Sequence, residues 1–190
     1  MTFSDELCMQ PIRQLMDVVS EFAGPYACLF TPNDLRSILP EHSATAFNTL
    51  LSRAAREGHF TKICRGLYLY ERAKPDRGLV LLHAVSKLRP LALNYLSLET
   101  VLSDAGVISQ IPINRIMVMS SGRSSIIDCG SWGSIEFVKT WQLPNDLVGH
   151  LVYDPRARCW RASVAQALRD MRATHRNLDL IDKEVADEFV

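Results

Sequence analysis

Between positions 43 and 72 the chain gathers side chains able to grip or read a polyanion: Ser43, Thr45, Asn48, Thr49, Ser52, Arg53, Arg56, Lys62 and Arg65. Asn and Arg carry paired hydrogen-bonding groups that match adenine and guanine edges, and Ser and Thr hydroxyls suit phosphate oxygens. If 43–58 is a helix with Phe47, Leu50, Leu51 and Ala54 against a core, these polar residues fall on the opposite side, because residues three and four apart share a face. Over 43–72, Arg53, Arg56, Lys62, Arg65 and Arg72 stand against Glu57 and Glu71, an excess of three positive charges. The whole chain balances 21 Lys and Arg with 21 Asp and Glu, so any attraction for nucleic acid has to come from a local patch of this kind.

Such a helix needs elements to hold it. Ile12, Leu15, Met16, Val18, Val19 and Phe22 recur at helical steps after Pro11, which predicts a first helix beginning at that proline and closed by Gly24-Pro25. Thr31-Pro32-Asn33-Asp34 supplies a capping hydroxyl, a proline at the first helical position and an acid two residues on, predicting a second short helix to about Leu39. Ser43 caps the third, which runs to Gly58. Phe60, Ile63, Leu67, Tyr68, Leu69 and Tyr70 then flank a turn at Arg65-Gly66, the composition of a β-hairpin. Three helices followed by a hairpin is the order of a winged helix-turn-helix, so residues 1–72 are predicted to form one.

The charged run 73–78 contains Pro75 and Gly78 and reads as a linker. Residues 79–190 form the second predicted domain, of mixed α/β type, which makes the fold class α+β. Its expected elements are helices over 79–87 and 97–105, the latter stopped by Gly106. Strands are expected at 113–120, 126–127, 134–138 and 150–153, and a helix beginning at Ser163 carries Val164, Ala167, Leu168 and Met171 on one face. Ser121-Gly122-Arg123-Ser124 reads as a strand-connecting turn, and Gly106 and Gly133 suit positive-φ positions. Six arginines between 156 and 176 make a second basic concentration, followed by a net acidic stretch over 179–188. The arginines read first as solvated helix residues, with pairing between the two stretches or contact with nucleic acid or an acidic partner as alternatives.

Several function classes find no support. Apolar residues make up 47% of the chain, enough for packed cores, and no apolar run reaches membrane-spanning length. With acids at Asp5 and Glu6, the N-terminal stretch does not read as a signal peptide, and the expected location is the cytoplasm. Cys8, Cys28, Cys64, Cys129 and Cys159 are scattered without metal-binding or redox spacing, which predicts reduced, mostly buried thiols. No nucleotide-cradling loop, dinucleotide fingerprint, zinc-protease helix or nucleophile elbow occurs, so no catalytic residue, cofactor or metal is expected. Asp128 with Glu136 is the nearest approach to a carboxylate pair.

A further set of residues resembles a known family. Phe30-Thr31-Pro32-Asn33-Asp34-Leu35, Arg53 to Gly58 and Arg65-Gly66-Leu67-Tyr68 are joined, in the family's order, by Tyr95-Leu96-Ser97-Leu98-Glu99 and the run Gly106 to Pro112. Ser120-Ser121-Gly122-Arg123 and Gly133-Ser134-Ile135-Glu136-Phe137 complete the set. Together they resemble the AbiEi-type antitoxins of bacterial abortive-infection (type IV) toxin-antitoxin systems. The resemblance implies a winged-helix domain that represses its own operon and a second domain that counters a nucleotidyltransferase-like toxin encoded alongside, with no requirement for direct contact. It marks Ser97, Gln110, Arg123 and Glu136 as antitoxin-domain candidates. The chain departs from the pattern at Val138-Lys139, where related sequences tend to carry a histidine soon after Glu-Phe.

The expected partners are therefore promoter DNA with inverted repeats, bound by two copies since operator symmetry mirrors protein symmetry, and the cognate toxin. The alternative is a stand-alone winged-helix regulator whose second domain senses a ligand or dimerises.

Overall fold

The computed structural model describes residues 3–109 and 114–189, with side chains from residue 11 onward. The chain divides into two compact units, Met1–Val80 and Leu81–Val190, within a mixed α+β architecture. The boundary lies just past the expected linker, because Ala73 packs on the core of the first unit and residues 71–73 and 77–79 wind into short 3-10 turns.

In the first unit, α1 (Phe3–Phe22) buries Ile12, Leu15, Met16 and Val19, the stripe that the periodicity predicts. Its start differs from expectation: Pro11 lies inside the helix, not at its first turn. A proline removes one ladder hydrogen bond, and here the helix continues on both sides of that gap. Phe22 ends the stripe half out in solvent, its ring edge-on to Phe30 at 5.6 Å. After β1 (Leu29–Phe30), Thr31 opens α2 (Pro32–Leu35) with a reciprocal cap. Asp34 N donates to Thr31 Oγ1 at 3.3 Å, and Thr31 N donates to Asp34 Oδ2 at 2.8 Å. The rest of the expected second helix tightens into a 3-10 turn (Arg36–Ile38) that delivers Leu39 to the core.

Helix α3 (Ala44–Arg56) follows, capped by Ser43, whose Oγ accepts from Ala46 N at 3.2 Å. Strands β2 (Thr61–Cys64) and β3 (Leu67–Leu69) form the expected hairpin, with Gly66 at φ 77° in its turn. β1 pairs with the outer side of β3, giving a three-stranded antiparallel sheet in the order β1-β3-β2. Phe47, Leu51 and Ala54 of α3 join Leu15, Leu35, Leu39, Phe60 and Tyr68 in one core.

The second unit is built on a six-stranded mixed sheet. In chain order its elements are α4 (Val80–Leu88), β4 (Asn94–Leu96), α5 (Leu98–Asp104), β5 (Arg115–Ser120), β6 (Ser125–Asp128), β7 (Ser134–Lys139), β8 (Leu151–Asp154), β9 (Cys159–Ala162), α6 (Val164–Ala173) and α7 (Lys183–Asp187). The spatial order is β6-β7-β5-β4-β9-β8, with β5/β7 and β4/β9 parallel and the other pairs antiparallel. The sequence reading lacked β4 and β9. It also implied nothing about β7 inserting between β5 and β6, so the turn 121–124 links strands that are not neighbours.

Gly133, at φ 107°, is where this topology needs a missing side chain. A Cβ there would lie 2.2 Å from the Asn114 carbonyl oxygen, which accepts a 2.8 Å bond from Ser134 N at the start of the β5/β7 ladder. Cys28, Cys64, Cys129 and Cys159 are buried and form no disulfide, and Cys8 and Gln110 lie outside the residues whose side chains are described. Burial, reinforced by Asp154, pushes the Cys159 thiol up to about 12.

Candidate functional site

The exposed face of α3 is the one the sequence predicts. Thr45, Asn48, Thr49, Ser52 and Arg56 are all exposed and recur at three- and four-residue steps, directly opposite Phe47, Leu51 and Ala54. Leu50 is only half-buried, at the edge of the core. Two hydroxyls have local partners: Ser43 caps the helix, and Thr49 Oγ1 donates to the Thr45 carbonyl at 3.0 Å. Arg53 lies on the flank of the stripe with its Nε 2.7 Å from Glu57 Oε1, so part of its charge is neutralised within the helix. Arg56, Asn48 and Ser52 keep their polar ends to solvent.

The hairpin extends this surface. Lys62 and Arg65 are exposed, and a groove of about 520 Å³ runs between helix and hairpin, lined by Ser52, Arg56, Gly58, Thr61, Lys62 and Tyr68 among others. One acid intrudes: Thr61 Oγ1 donates to Glu71 Oε1 at 2.7 Å, which places a carboxylate beside the hairpin. An α-helix with a cationic, amide-bearing face, next to a basic hairpin, can enter a major groove while the hairpin reaches backbone phosphates.

The second unit does not bring its predicted candidates together. Ser97 is fully buried, its Oγ donating to Asp170 Oδ2 at 2.6 Å. Asp170, also fully buried, further accepts from Gln142 Nε2 and Gln166 Nε2 at 2.8 Å each and from Tyr95 OH at 3.4 Å. Burial first, and Asp170 second, raise the Tyr95 pKa. Glu136 is instead ion-paired with Arg176 and with Arg115, the latter at 3.6 Å, and Arg176 also reaches Glu99 at 3.6 Å. These bonds hold α5 and the segment after α6 to the sheet. Glu136 is therefore committed to two arginines, while Asp128 caps Gly130 N at 2.8 Å, an arrangement unlike a metal-holding carboxylate pair. Of the C-terminal arginines, Arg161 pairs with Asp104 at 2.8 Å and Arg176 with Glu99 and Glu136, acids that lie outside 179–188.

Of Ser97, Arg123 and Glu136, the antitoxin-domain candidates among the described residues, Arg123 is the exposed one, at the turn after β5. Sequence reasoning missed the groups near it, Arg89 and Lys139, and missed Asp170 with its partners. The signal for Asp170 was an acid four residues after Gln166, bordering the apolar stripe of α6.

No family model matches the chain, and no curated protein does. Among solved structures, the crystal structure of RV2827C protein from Mycobacterium tuberculosis is similar with a TM-score of 0.47 and 17% identity over 77% of this chain. The chain spans about half of that protein, 52% of its length. Among the described residues, no helix is long and apolar enough to cross a membrane.

Proposed function

We propose that the first unit is a winged helix-turn-helix that binds promoter DNA, with α2 and α3 as the helix pair, α3 in the major groove and the β2–β3 hairpin as the wing. The observation that carries this reading is the exposed stripe Thr45, Asn48, Ser52 and Arg56, continued by Lys62 and Arg65, on a helix whose other side is core. Asn48 and Arg56 read base edges; Lys62 and Arg65 hold phosphates. Two copies occupy inverted repeats of the operator.

The wider reading is an antitoxin and autorepressor of a toxin-antitoxin operon, acting in the cytoplasm without enzymatic activity. Its second unit counters a nucleotidyltransferase-like toxin, functionally and without requiring contact. The support for this part is the resemblance of the motifs from Phe30 to Phe137 to AbiEi-type antitoxins. A second reading, a stand-alone regulator that senses a ligand, draws on an apolar groove of about 460 Å³ in the second unit, lined by Leu93, Leu147, Val148, Leu151 and Trp160.

Mobility-shift assays at two salt concentrations test the DNA role: the protein shifts its own promoter at low salt and releases it as salt rises. Absence of any low-salt shift defeats it. Co-expression with the adjacent reading frame tests the rest. Restored growth supports the antitoxin; growth that stays arrested while this protein is plainly produced excludes neutralisation and leaves the regulator.

A further inference from the structure

Apart from α3, one corner of the second unit holds cations that form no ion pair with an acid among the described residues. Strands β5 and β7 run parallel and end in register at Ser120 and Lys139, so their carboxyl ends share one edge of the sheet. Open α/β sheets commonly take ligands at such ends. The turn that leaves β5 here is held from both sides. Leu93 N donates to Ser121 Oγ at 3.1 Å, and Lys139 N donates to Ser124 Oγ at 3.0 Å.

Over this turn lies Arg89. Its Nη1 donates to Ser120 Oγ at 3.1 Å and its Nη2 to Ser125 Oγ at 2.8 Å, and the guanidinium sits 3.9 Å from the centre of the Phe137 ring. A Cβ on Gly122 would come within 2.9 Å of Nη1, so the glycine makes room for the guanidinium. Every partner of Arg89 is neutral, and Arg123 stands close enough that its charge, after burial, lowers the Arg89 pKa. Lys139 shares the sheet face of Phe137 and Ser120, and its Nζ rests 3.3 Å from the ring centre of Trp141, which is 82% exposed.

Among the described residues, no carboxylate forms an ion pair with Arg89, Arg123 or Lys139. Elsewhere in this unit Arg115, Arg161 and Arg176 each have an acid. Three neighbouring cations without a counter-charge favour an anion, and a guanidinium already held in place by hydroxyls offers its remaining donors at small entropic cost. An exposed indole beside them supplies a stacking surface, and every nucleobase has a face to stack. The geometry points to a nucleotide-phosphate site: the phosphate lies among Arg89, Arg123 and Lys139, and the base rests on Trp141. This site shares no residue with the α3 surface and does not depend on the DNA-binding reading.

The test uses the full chain carrying Arg56→Ala and Lys62→Ala, so that the α3 surface contributes little. Inorganic phosphate, a nucleoside 5′-monophosphate and a short unstructured single-stranded oligonucleotide are titrated while the Trp141 indole N–H is followed by NMR, assigned with Trp141→Phe. Both nucleotide probes should shift that signal, with phosphate competing. Arg123→Gln with Lys139→Gln should weaken binding about tenfold or more, and in Trp141→Ala, followed at the Gly122 amide because the reporter indole is gone, nucleotide affinity should fall about fivefold or more while phosphate affinity holds. Arg89→Gln should weaken phosphate and both nucleotide probes alike, and Gly122→Ala, which only displaces the Arg89 guanidinium, should act in the same direction more weakly. Comparable affinity for the two nucleotide probes identifies a free nucleotide as the ligand; oligonucleotide binding at least tenfold tighter identifies a strand. If neither nucleotide probe perturbs Trp141 at millimolar concentration, or if the charge-removing variants bind as well as their parent while remaining folded, the site does not exist.

Discussion

Helices α3 and α6 begin almost identically and put their polar residues to opposite uses. Ser43 and Ser163 have the same extended backbone (φ −63°, ψ 158° and 160°), and each hydroxyl accepts from the amide three residues on at 3.2 Å. Beyond the cap, α3 turns Asn48, Ser52 and Arg56 outward over an apolar face, whereas α6 turns Gln166 and Asp170 into the unit, where the carboxylate receives four hydrogen bonds. Polar groups on α3 remain available to a ligand. Those on α6 are already satisfied, and their contribution is to fix α6 and α5 to the sheet. Helical pattern and capping thus say that a helix exists, while burial of its polar residues decides whether it recognises something or holds something.

The strongest way to break this contrast is at Asp170. In Asp170→Ala, the donors on Ser97, Gln142, Gln166 and Tyr95 lose a common acceptor in a site closed to water. Hydrogen bonds to a charged group are worth about 1.5–3 kcal/mol each and unsatisfied buried donors cost further, so the loss should be on the order of 3 kcal/mol or more in urea unfolding. A loss under about 1 kcal/mol would show that α6 does not depend on its inward polar residues. Asp170→Asn keeps the acceptor oxygen and should cost less.

Arg56→Ala makes the converse change on α3. Nothing in the core is touched, so stability should hold within about 0.5 kcal/mol, while loss of a base contact should weaken promoter binding by roughly 1–3 kcal/mol and relax preference at one position. Unchanged affinity for the specific site would remove α3 as the reading helix. Lys62→Ala should act more weakly and differently: binding falls evenly across sequences, and the slope of log affinity against log salt decreases by about 1, the mark of one lost phosphate contact.

The sequence made much of α3 legible because its signals are local: a capping serine, apolar steps of three and four, and a glycine at the end. The same holds for the Thr31–Asp34 reciprocal cap. What escaped was non-local. Strand β4 is only Asn94-Tyr95-Leu96, and β9 is Cys159-Trp160-Arg161-Ala162 without a β-branched residue, so neither carries a strand's usual composition. Both are strands because they pair in the middle of a sheet whose order is set by parallel contacts between distant segments. Pro11 misleads for the opposite, local reason: a proline suits the first turn of a helix, yet this helix begins earlier and runs on through it. The corner at Arg89, Arg123 and Lys139 joins three positions that no periodicity connects; only the β5/β7 register makes Lys139 a neighbour of Ser120.

The smallest expected effect concerns Arg53, which lies between the two behaviours. Its guanidinium faces partly outward like that of Arg56, but it binds Glu57 one turn along, and both side chains are about a third exposed (34% and 35%). An exposed pair at this helical spacing is worth about 0.3–0.5 kcal/mol, so Arg53→Ala should scarcely change the unfolding midpoint. Its effect on DNA binding should be well below that of Arg56→Ala, because engaging DNA would require Arg53 to leave an acid that already satisfies part of it. Glu57→Gln sharpens the point. If Arg53 reaches DNA, releasing it from Glu57 and removing a negative charge near the duplex strengthens binding, and that gain disappears in Arg53→Ala/Glu57→Gln. If the gain persists in the double variant, it comes from the lost negative charge alone, and Arg53 belongs with the inward-satisfied residues of α6 and not with the reading face of α3.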